Sequence, residues 1–315
     1  MTNPSSITMA PTVRPVKAGY WNLFRPWTLH GAVVPVLIGG AVAFTKIDAD
    51  VVNICVFILI LIGACLFQSV ANILNTYGDF KKGTDTVENE TRSPELVTGT
   101  LTPEQVRNVG LLCLALICII GLVLMLHVGW GLLIYGVIGI FGVTMYTLGA
   151  SYKYLGLGQL SVLINFGFLM PLGTYYTLTG EAFSWDVVLL SIPNAMMITG
   201  VLAGNELRDY YEDKKADVGT LSGHMSYEHA MTLYLVESLG SFVALAILIV
   251  TGCVPVWCTL AFLTLYDAYV LYANSRKAHD DPHCGFMLVP LCFKLNWHFG
   301  VLLVVGYLCG MLIHI

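Results

Sequence analysis

Long uncharged apolar runs recur along the sequence, and they constrain its fold more than any other feature. Each run is close to the roughly 20 residues that an α-helix needs to cross a bilayer. Only 11% of the 315 residues are charged, whereas a soluble domain has about 25%. The sequence therefore predicts an all-α, polytopic transmembrane bundle of about nine helices. The expected spans lie near residues 24–45, 51–78, 106–127, 130–150, 158–178, 185–206, 229–252, 254–274 and 286–314.

Lysine and arginine residues are distributed unevenly between the two ends of these spans. If the N-terminus is cytoplasmic, the outer loops hold only Lys46, and nearly all the other cations fall in inner segments. This bias predicts a multi-pass protein of the inner or plasma membrane with a cytoplasmic N-terminus. Residues 1–20 are interpreted as a polar tail and residues 21–315 as one transmembrane domain. The absence of a basic tract argues against nucleic acid as a partner.

Two polar clusters stand where apolar runs end. Asn72, Asn75 and Asp79 are three and four residues apart, so they share one face of a helix. Asp85 follows in the next loop, after Gly83 lets the chain bend.

The second cluster repeats the Asn-x-x-x-Asp spacing of the first, with Asn205, Arg208, Asp209 and Asp213. In the expected orientation both clusters lie on the cytoplasmic side. We therefore expect a central cavity that opens to that side, with both clusters at its mouth.

The chemistry of these clusters favours a metal-bound phosphate. Carboxylate and amide oxygens suit Mg²⁺, which completes its shell with water and substrate phosphates. Nearby cations would contact phosphate oxygens directly; they are Lys81, Lys82, Arg92, Lys153 and Arg208. Because an apolar bundle beneath the site suits a hydrocarbon tail, the predicted substrate is an isoprenyl diphosphate. The alternative interpretation is ordinary helix-end charges in solvated loops.

Four segments in order resemble the UbiA superfamily of intramembrane prenyltransferases, and most closely its menaquinone-type 1,4-dihydroxy-2-naphthoate prenyltransferase branch. The first is similar to N-x-x-N-D-Y-x-D-x-x-x-G-x-D, and the second cluster is similar to N-N-x-R-D-x-x-x-D. Between them, Tyr146 to Gly158 resembles a Y-T-x-x-P-x-x-L-K-Y-x-G-L-G segment, and Gly173 to Gly180 resembles a G-T-Y-Y stretch. The likeness extends from Arg25 to the last helix.

The resemblance implies Mg²⁺-dependent transfer of a polyprenyl group from its diphosphate to an aromatic acceptor within a membrane. A pair of Mg²⁺ ions would be held by Asn75, Asp79, Asp85, Asn205, Asp209 and Asp213. The implied catalytic residues are Asp79, Asp85, Asp209, Asp213, Lys153 and Tyr154. The implied substrate-binding residues are Arg25, Asn72, Asn75, Tyr77, Lys81, Arg92, Tyr146, Ser151, Asn205 and Arg208. The rings of Tyr77, Tyr146 and Tyr154 are candidates to stabilise an allylic cation.

The sequence also departs from the family pattern. Thr76 stands where the bacterial motif usually has Asp, and an N-T-Y version occurs in animal relatives. Glu206 replaces the second Asn, Asp217 replaces a usual Gly, and the segment around Ala150 lacks the family's Pro. These departures concern the acceptor more than the prenyl transfer itself.

Other functions stay open at this point. The acceptor could instead be 4-hydroxybenzoate, homogentisate, a porphyrin or a glyceryl phosphate. A transporter that uses the acids as an ion relay predicts charges near the bilayer midplane on interrupted helices. Both clusters lie at helix ends on one side, which argues against alternating access.

Glu237, Asp267 and Lys294 fall inside or near apolar runs, where a charge is costly. We expect Lys294 either to snorkel toward the interface or to pair with an acid on a neighbouring helix.

Overall fold

The protein is described by a computed structural model that covers residues 18–83, 94–146 and 151–313. These residues form helices and their connections, with one isolated parallel bridge between Leu155 and Gly219. The expected all-α class is therefore confirmed. The α-helices in chain order are α1 Tyr20–Phe24, α2 His30–Ala43, α3 Val51–Lys82, α4 Pro94–Val97, α5 Pro103–Val128, α6 Leu132–Thr144, α7 Gly158–Val162, α8 Met170–Thr179, α9 Trp185–Arg208, α10 Tyr210–Lys215, α11 Tyr227–Val250, α12 Leu265–Ser275 and α13 Pro282–Ile313.

Three connections matter for the spans. A 3₁₀ turn at Pro26–Thr28 joins α1 to α2, and a π-helical segment at Leu163–Leu169 joins α7 to α8 without a break. A 3₁₀ helix at Val256–Thr264 leads directly into α12. Each of the nine expected spans therefore falls mainly on helical structure among its described residues.

The length and hydropathy of each helix indicate whether it can cross a membrane. Six helical stretches of the described chain are long and apolar enough to cross a bilayer, and a seventh arises if Tyr20–Thr28 and His30–Ala43, bent by 44°, form one span. The helix α6 is shorter, and the continuous α7–α8 stretch changes to π-helical hydrogen bonding over Leu163–Leu169. The chain is an integral membrane protein, and the count of nine stays a prediction.

Local sequence sets where the long helices begin and end. The carboxylate of Asp50 accepts the N–H of Asn53 at 2.8 Å and starts α3, and Gly83 ends it with φ 74°. Thr102 and Gln105 form a reciprocal capping box ahead of α5, with Pro103 at its first position.

The helix α9 is the most enclosed of the long helices. It packs against α2, α11, α13 and the π-helical segment. Two glycines elsewhere in the bundle allow helix backbones to approach closely: a Cβ at Gly39 would lie 2.2 Å from the carbonyl oxygen of Pro171, and one at Gly300 would lie 2.3 Å from Val34. Such small residues are typical of contacts between membrane helices. This packing brings the last turns of α3 and α9 to the same end of the bundle.

Candidate active site

The last turns of α3 present a stripe of polar side chains to a central cavity. Asn72, Asn75 and Asp79 line this cavity, as the helical spacing predicts. The amide of Asn72 donates to the carbonyl oxygen of Phe24 at 3.1 Å and to Thr28 Oγ1 at 3.0 Å. These bonds fix the N-terminal elbow of the chain against α3.

Lys153 reaches into the same stripe from the connection between α6 and α7. Its Nζ donates to Asn75 Oδ1 at 3.0 Å and to the two carboxylate oxygens of Asp79 at 3.1 and 3.0 Å. The hydroxyl of Tyr154 donates to Asp79 Oδ1 at 2.5 Å. This segment begins at Ser151, whose φ of 50° places it in the left-handed region and turns the chain toward α3.

The charge of Lys153 is stabilised where it lies. Burial lowers the pKa of its ammonium, but the Asp79 carboxylate and the charges of Asp213 and Asp209 raise that pKa by more, so it stands above its ordinary value. Lys153 is therefore a cation at neutral pH. It is also within electrostatic reach of both acidic clusters, which shows that the ends of α3 and α9 face each other.

The second cluster lies where α9 passes into α10. Asn205, Arg208, Asp209 and Asp213 all line the cavity. The guanidinium of Arg208 forms a bidentate pair with Asp209, with distances of 2.7 Å from Nε and 2.9 Å from Nη2. Such paired geometry holds a charged group in a fixed position.

Arg25 approaches from the N-terminal elbow. Its backbone is left-handed, with φ 49° and ψ 59°, and it separates α1 from the 3₁₀ turn. The guanidinium donates to Thr76 Oγ1 at 3.2 Å and lines the cavity beside Asn75 and Asp79. A third basic side chain thus stands at the polar mouth.

The cavity below this mouth is large and mainly apolar. Its volume is about 1070 Å³, and its walls include Phe67, Ile140, Phe166, Leu169, Met170 and Phe293. It extends to Leu133 and Tyr135, near the opposite end of the bundle, where the Tyr135 hydroxyl donates to the carbonyl of Ala182 at 2.7 Å. This shape can hold a polar head at one end and a long apolar tail along its length.

Most of the residues predicted from the sequence lie together. Those lining the cavity are Arg25, Asn72, Asn75, Asp79, Tyr146, Lys153, Asn205, Arg208, Asp209 and Asp213. Tyr154 joins through its bond to Asp79.

The other predicted residues divide into two groups. Ser151, Tyr77 and Lys81 are described but are not part of the cavity lining; Tyr77 packs in a hydrophobic cluster with Phe80, and the Lys81 ammonium lies 5.7 Å from the Tyr77 ring centroid. Asp85 and Arg92 lie outside the described residues, as does the side chain of Lys82.

The oxygen donors at the mouth fit Mg²⁺ when a phosphate shares its shell. Carboxylates and amides from α3 and α9–α10 meet at one cavity, and this is the donor chemistry that Mg²⁺ prefers. Among the described residues, no three acidic, histidine or cysteine side chains form a ready-made metal cage. The set therefore suits a metal held jointly by protein and substrate.

Sequence reasoning missed several side chains at this site. Gln68 lines the cavity one turn before Asn72 on the same helix face, so the spacing could have revealed it. Glu212 also lines the cavity and lies four residues after Arg208. Phe286 and Phe293 come from α13, and no sequence pattern places them there.

Glu206 has a clear structural role. Its Oε2 accepts hydrogen bonds from Gln159 Nε2 at 2.8 Å, the Ser222 N–H at 3.0 Å and Ser222 Oγ at 2.7 Å. The residue that departs from the family motif therefore ties α9 to α7 and to the segment after α10.

The fold and the site together define a membrane-embedded enzyme with a cavity for an amphiphilic substrate. The chain belongs to the UbiA prenyltransferase family, whose model matches residues 32–289. Members of this family transfer prenyl groups within membranes. The prediction of a membrane-embedded prenyltransferase, drawn from the motifs, is therefore confirmed.

Similar proteins extend over most of the chain. A 1,4-dihydroxy-2-naphthoate octaprenyltransferase of Bacillus subtilis is 26% identical over 98% of this chain and 97% of its own length. The Escherichia coli protein of the same name is 30% identical over 80% of this chain and 82% of its own length. A UbiA prenyltransferase domain-containing protein 1 homolog of Drosophila melanogaster is 29% identical over 92% of this chain and 79% of its own length.

Solved structures share the fold. A UbiA homolog from Archaeoglobus fulgidus bound to GPP and Mg²⁺ has a TM-score of 0.55 at 15% identity, covering 91% of this chain and 99% of its own. A UbiA homolog from Aeropyrum pernix has a TM-score of 0.60 at 15% identity, covering 89% of this chain and 96% of its own.

Proposed function

We propose that this protein transfers a polyprenyl group from its diphosphate to 1,4-dihydroxy-2-naphthoate, in a Mg²⁺-dependent reaction of menaquinone biosynthesis. One observation carries the proposal. The polar ends of α3 and α9, with Lys153 and Arg208, close the mouth of a long apolar cavity. A diphosphate head and an isoprenyl tail match these two regions.

The cations at the mouth are the proposed phosphate ligands. Arg25, Lys153 and Arg208 stand at three sides of the polar end and present N–H donors. In this structure Lys153 and Arg208 pair with Asp79 and Asp209. We infer that a diphosphate competes for these donors, since phosphate oxygens accept strong charge-assisted bonds.

The acidic and amide side chains are the proposed metal ligands. Asp79, Asp209 and Asp213, with Asn75 and Asn205, would hold a pair of Mg²⁺ ions, and Asp85 would complete the set. When bound, Mg²⁺ neutralises the charge that develops on the departing diphosphate. A homolog of the same fold was solved with GPP and Mg²⁺, which supports the use of Mg²⁺ with a prenyl diphosphate.

The reaction breaks the bond between C1 of the prenyl chain and the diphosphate oxygen, and the electron pair leaves with pyrophosphate. Lys153 and Arg208 stabilise that leaving group. The electron-rich ring of the acceptor then forms a bond to C1, and with a dihydroxynaphthoate the carboxylate is lost as CO₂. Apolar walls that include Phe67 and Phe166 keep water from the allylic cation. Tyr146, which lines the cavity, is the proposed ring that stabilises this cation.

The bacterial relatives support a naphthoate acceptor, because they carry that substrate in their names. A second acceptor class stays open, since the Drosophila relative has a different name and Thr76 matches the animal form of the motif. An ion-coupled transporter is disfavoured, since the chain belongs to a family of enzymes.

The test uses purified protein in lipid nanodiscs with Mg²⁺, a series of prenyl diphosphates and a panel of aromatic acceptors, with products identified by mass spectrometry. Asp79→Ala and Asp209→Ala should each lower the rate about 100-fold or more, and EDTA should abolish it. Glu228→Ala, which removes an exposed acid at the start of α11, is the matched control.

The outcome separates the parts of the proposal. Prenylated naphthoquinol made by the unaltered protein, and lost in Asp79→Ala and Asp209→Ala, would support both the transfer reaction and the naphthoate acceptor. Product with a different acceptor alone would keep the transfer reaction and replace the acceptor. No product from any acceptor, with folded protein, would overturn the proposed function.

A further inference from the structure

A cluster of ionisable side chains lies deep in the membrane-spanning region, away from the active site. Asp267 is in α12, and Lys294 and His298 are one turn apart in α13. Asp267 lies eight residues before Ser275, which is about 12 Å along the helix. Lys294 lies twelve residues after Pro282, about 18 Å along α13. Both positions lie within helices that are long and apolar enough to cross a hydrocarbon core of about 30 Å.

The three side chains bond to one another. Lys294 Nζ donates to Asp267 Oδ1 at 2.8 Å, and His298 Nδ1 lies 2.6 Å from Asp267 Oδ2. Lys294 therefore pairs with an acid on a neighbouring helix instead of snorkelling, the second of the two alternatives expected from the sequence. Asp267 holds the ammonium at this depth.

This cluster faces outward from the bundle. The Lys294 side chain is 51% exposed and the His298 side chain 43% exposed, whereas Asp267 is 13% exposed. None of the three is part of the lining described for the active-site cavity. The cluster has no place in the transfer reaction.

Lipid cannot satisfy these groups. Lys294 has N–H donors beyond the one that Asp267 accepts, and hydrocarbon offers them no acceptor. Charged side chains that face a membrane interior are rare for this reason and are normally covered by protein. The exposed fraction of this cluster is therefore a polar surface that hydrocarbon would leave unsatisfied.

The surrounding face also differs from an ordinary lipid-facing surface. Leu263, Tyr266 and Tyr269 project from the same side at intervals of three residues, with 72%, 74% and 66% of their surface exposed. Tyrosine normally lies at the membrane interface, where its hydroxyl reaches water. With Asp267, Lys294 and His298, these residues form what we call the ionic face.

We propose that the ionic face packs against the ionic face of a second copy of this chain, about a two-fold axis. The charge pattern selects this partner. The face carries an anion and a cation side by side, so a two-fold rotation can set Lys294 of each copy near Asp267 of the other. Exchanged ion pairs and tyrosine hydroxyls would then satisfy the donors that lipid leaves open. This proposal rests on the membrane fold and is independent of the acceptor.

The first test measures association in a bilayer. Fluorescently labelled protein is reconstituted into liposomes at a low ratio of protein to lipid, and subunits are counted by single-molecule photobleaching. A photoreactive residue at Tyr266 should cross-link two copies. The same residue at Ile119, which is 59% exposed on α5, should not, because α5 packs against α3 in another part of the bundle.

The second test removes the cation. Lys294→Met should lower the yield of cross-linked dimer at least about tenfold, while Lys46→Met should not. Lys46 is a matched control because it also pairs with an acid, Glu181, at 3.6 Å outside the ionic face. Retained prenyl transfer by both variants shows that they are folded.

The results decide the proposal. Two-step bleaching with cross-linking confined to Tyr266 supports it. Single-step bleaching of the unaltered protein, equal cross-linking from Tyr266 and Ile119, cross-linking to a different protein in native membranes, or an unchanged dimer yield in Lys294→Met would each overturn it. The unaltered protein gives a decision even if Lys294→Met fails to fold.

Discussion

Lys153 links the two polar clusters of the predicted site. It bonds to Asn75 and Asp79 directly and is within electrostatic reach of Asp209 and Asp213. Without it, the buried carboxylate of Asp79 would lose its ion pair at the mouth of an apolar cavity, which is costly. We infer that Lys153 neutralises the acids before substrate binds and moves to the phosphates afterwards.

Exchanging this lysine tests the position of the site. Lys153→Met should lower kcat/KM for the prenyl diphosphate about 100-fold or more, because a buried charge and its phosphate contact are lost together. Lys81→Met is the matched control and should stay within about twofold. Steady-state kinetics by mass spectrometry measure both. An equal loss of kcat/KM in Lys153→Met and Lys81→Met would contradict the placement of Lys81 outside the cavity.

Glu206 shows how a residue that departs from a motif can still belong to the site. The sequence indicated only that a carboxylate replaces an amide. The structure places that carboxylate where three donors from Gln159 and Ser222 converge. The carboxylate that replaces the amide is therefore satisfied by hydrogen bonds from its neighbours, and Asn205 still lines the cavity.

At the scale of elements, close backbone contact fixes how the helices pack. Gly39 of α2 lies against the backbone of Pro171 in α8, whereas Gly63 of α3 has ordinary space, with Ile120 at 3.5 Å from a built Cβ. The two glycines sit in similar apolar helices but differ in their surroundings. They form a natural pair for testing the packing.

Gly39→Ala should destabilise the protein by about 1–3 kcal/mol, because the new methyl group overlaps a carbonyl oxygen that cannot move alone. Gly63→Ala should be neutral or slightly stabilising, since alanine is the better helix former. Thermal unfolding in detergent, followed by loss of soluble monomer, compares the two. A larger loss of stability in Gly63→Ala would show that the α2–α8 contact is wrongly placed.

The helix α6 forms the far part of the cavity wall and is thinly packed, with no buried residue. Gly136 lines this part, and no atom comes within 4 Å of a Cβ built on it. A larger side chain there has room to enter the space that we assign to the tail. A substitution at Gly136 therefore tests how far the tail extends along α6.

Gly136→Phe should reduce turnover of long prenyl diphosphates about tenfold or more relative to short ones, because the phenyl group occupies the far end of the cavity. Competition between geranyl and longer diphosphates, with products separated by chain length, measures the ratio. Gly180→Ala is unsuitable as a control because its φ of 76° is strained for alanine; Glu228→Ala, at an exposed position on α11 outside the cavity lining, serves better. If the ratio of long to short products did not change, the prenyl tail would lie in another part of the protein.

At the scale of the whole molecule, the two ends of the bundle differ. The active-site end gathers Arg25, Lys153 and Arg208, and the opposite end holds a small network in which Lys46 donates to Tyr175 at 2.9 Å. The distribution of cations along the sequence favours a cytoplasmic active site.

This orientation is testable with reporters fused to the N-terminus and inserted in the loop at Ile47–Asp50. A cytoplasmic N-terminus should give a fluorescent GFP fusion, and an alkaline phosphatase in the loop after α2 should be active outside. The reverse pattern would place the active site on the outer side.

The sequence by itself determined the helical class, the positions of the long apolar helices and the polar stripes on α3 and α9. These features depend on hydropathy and on the 3.6-residue period, which are local and can be read along one segment. The family motifs added which residues to expect at the site.

Only the tertiary structure decided which of these residues meet. Lys153 bonds to Asp79 across 74 positions, Tyr77 and Lys81 are not part of the cavity lining, and Asp267 pairs with Lys294 in the next helix. These outcomes depend on how the helices pack. Packing is set by the shapes of side chains and glycines far apart in the sequence, and no local pattern encodes it.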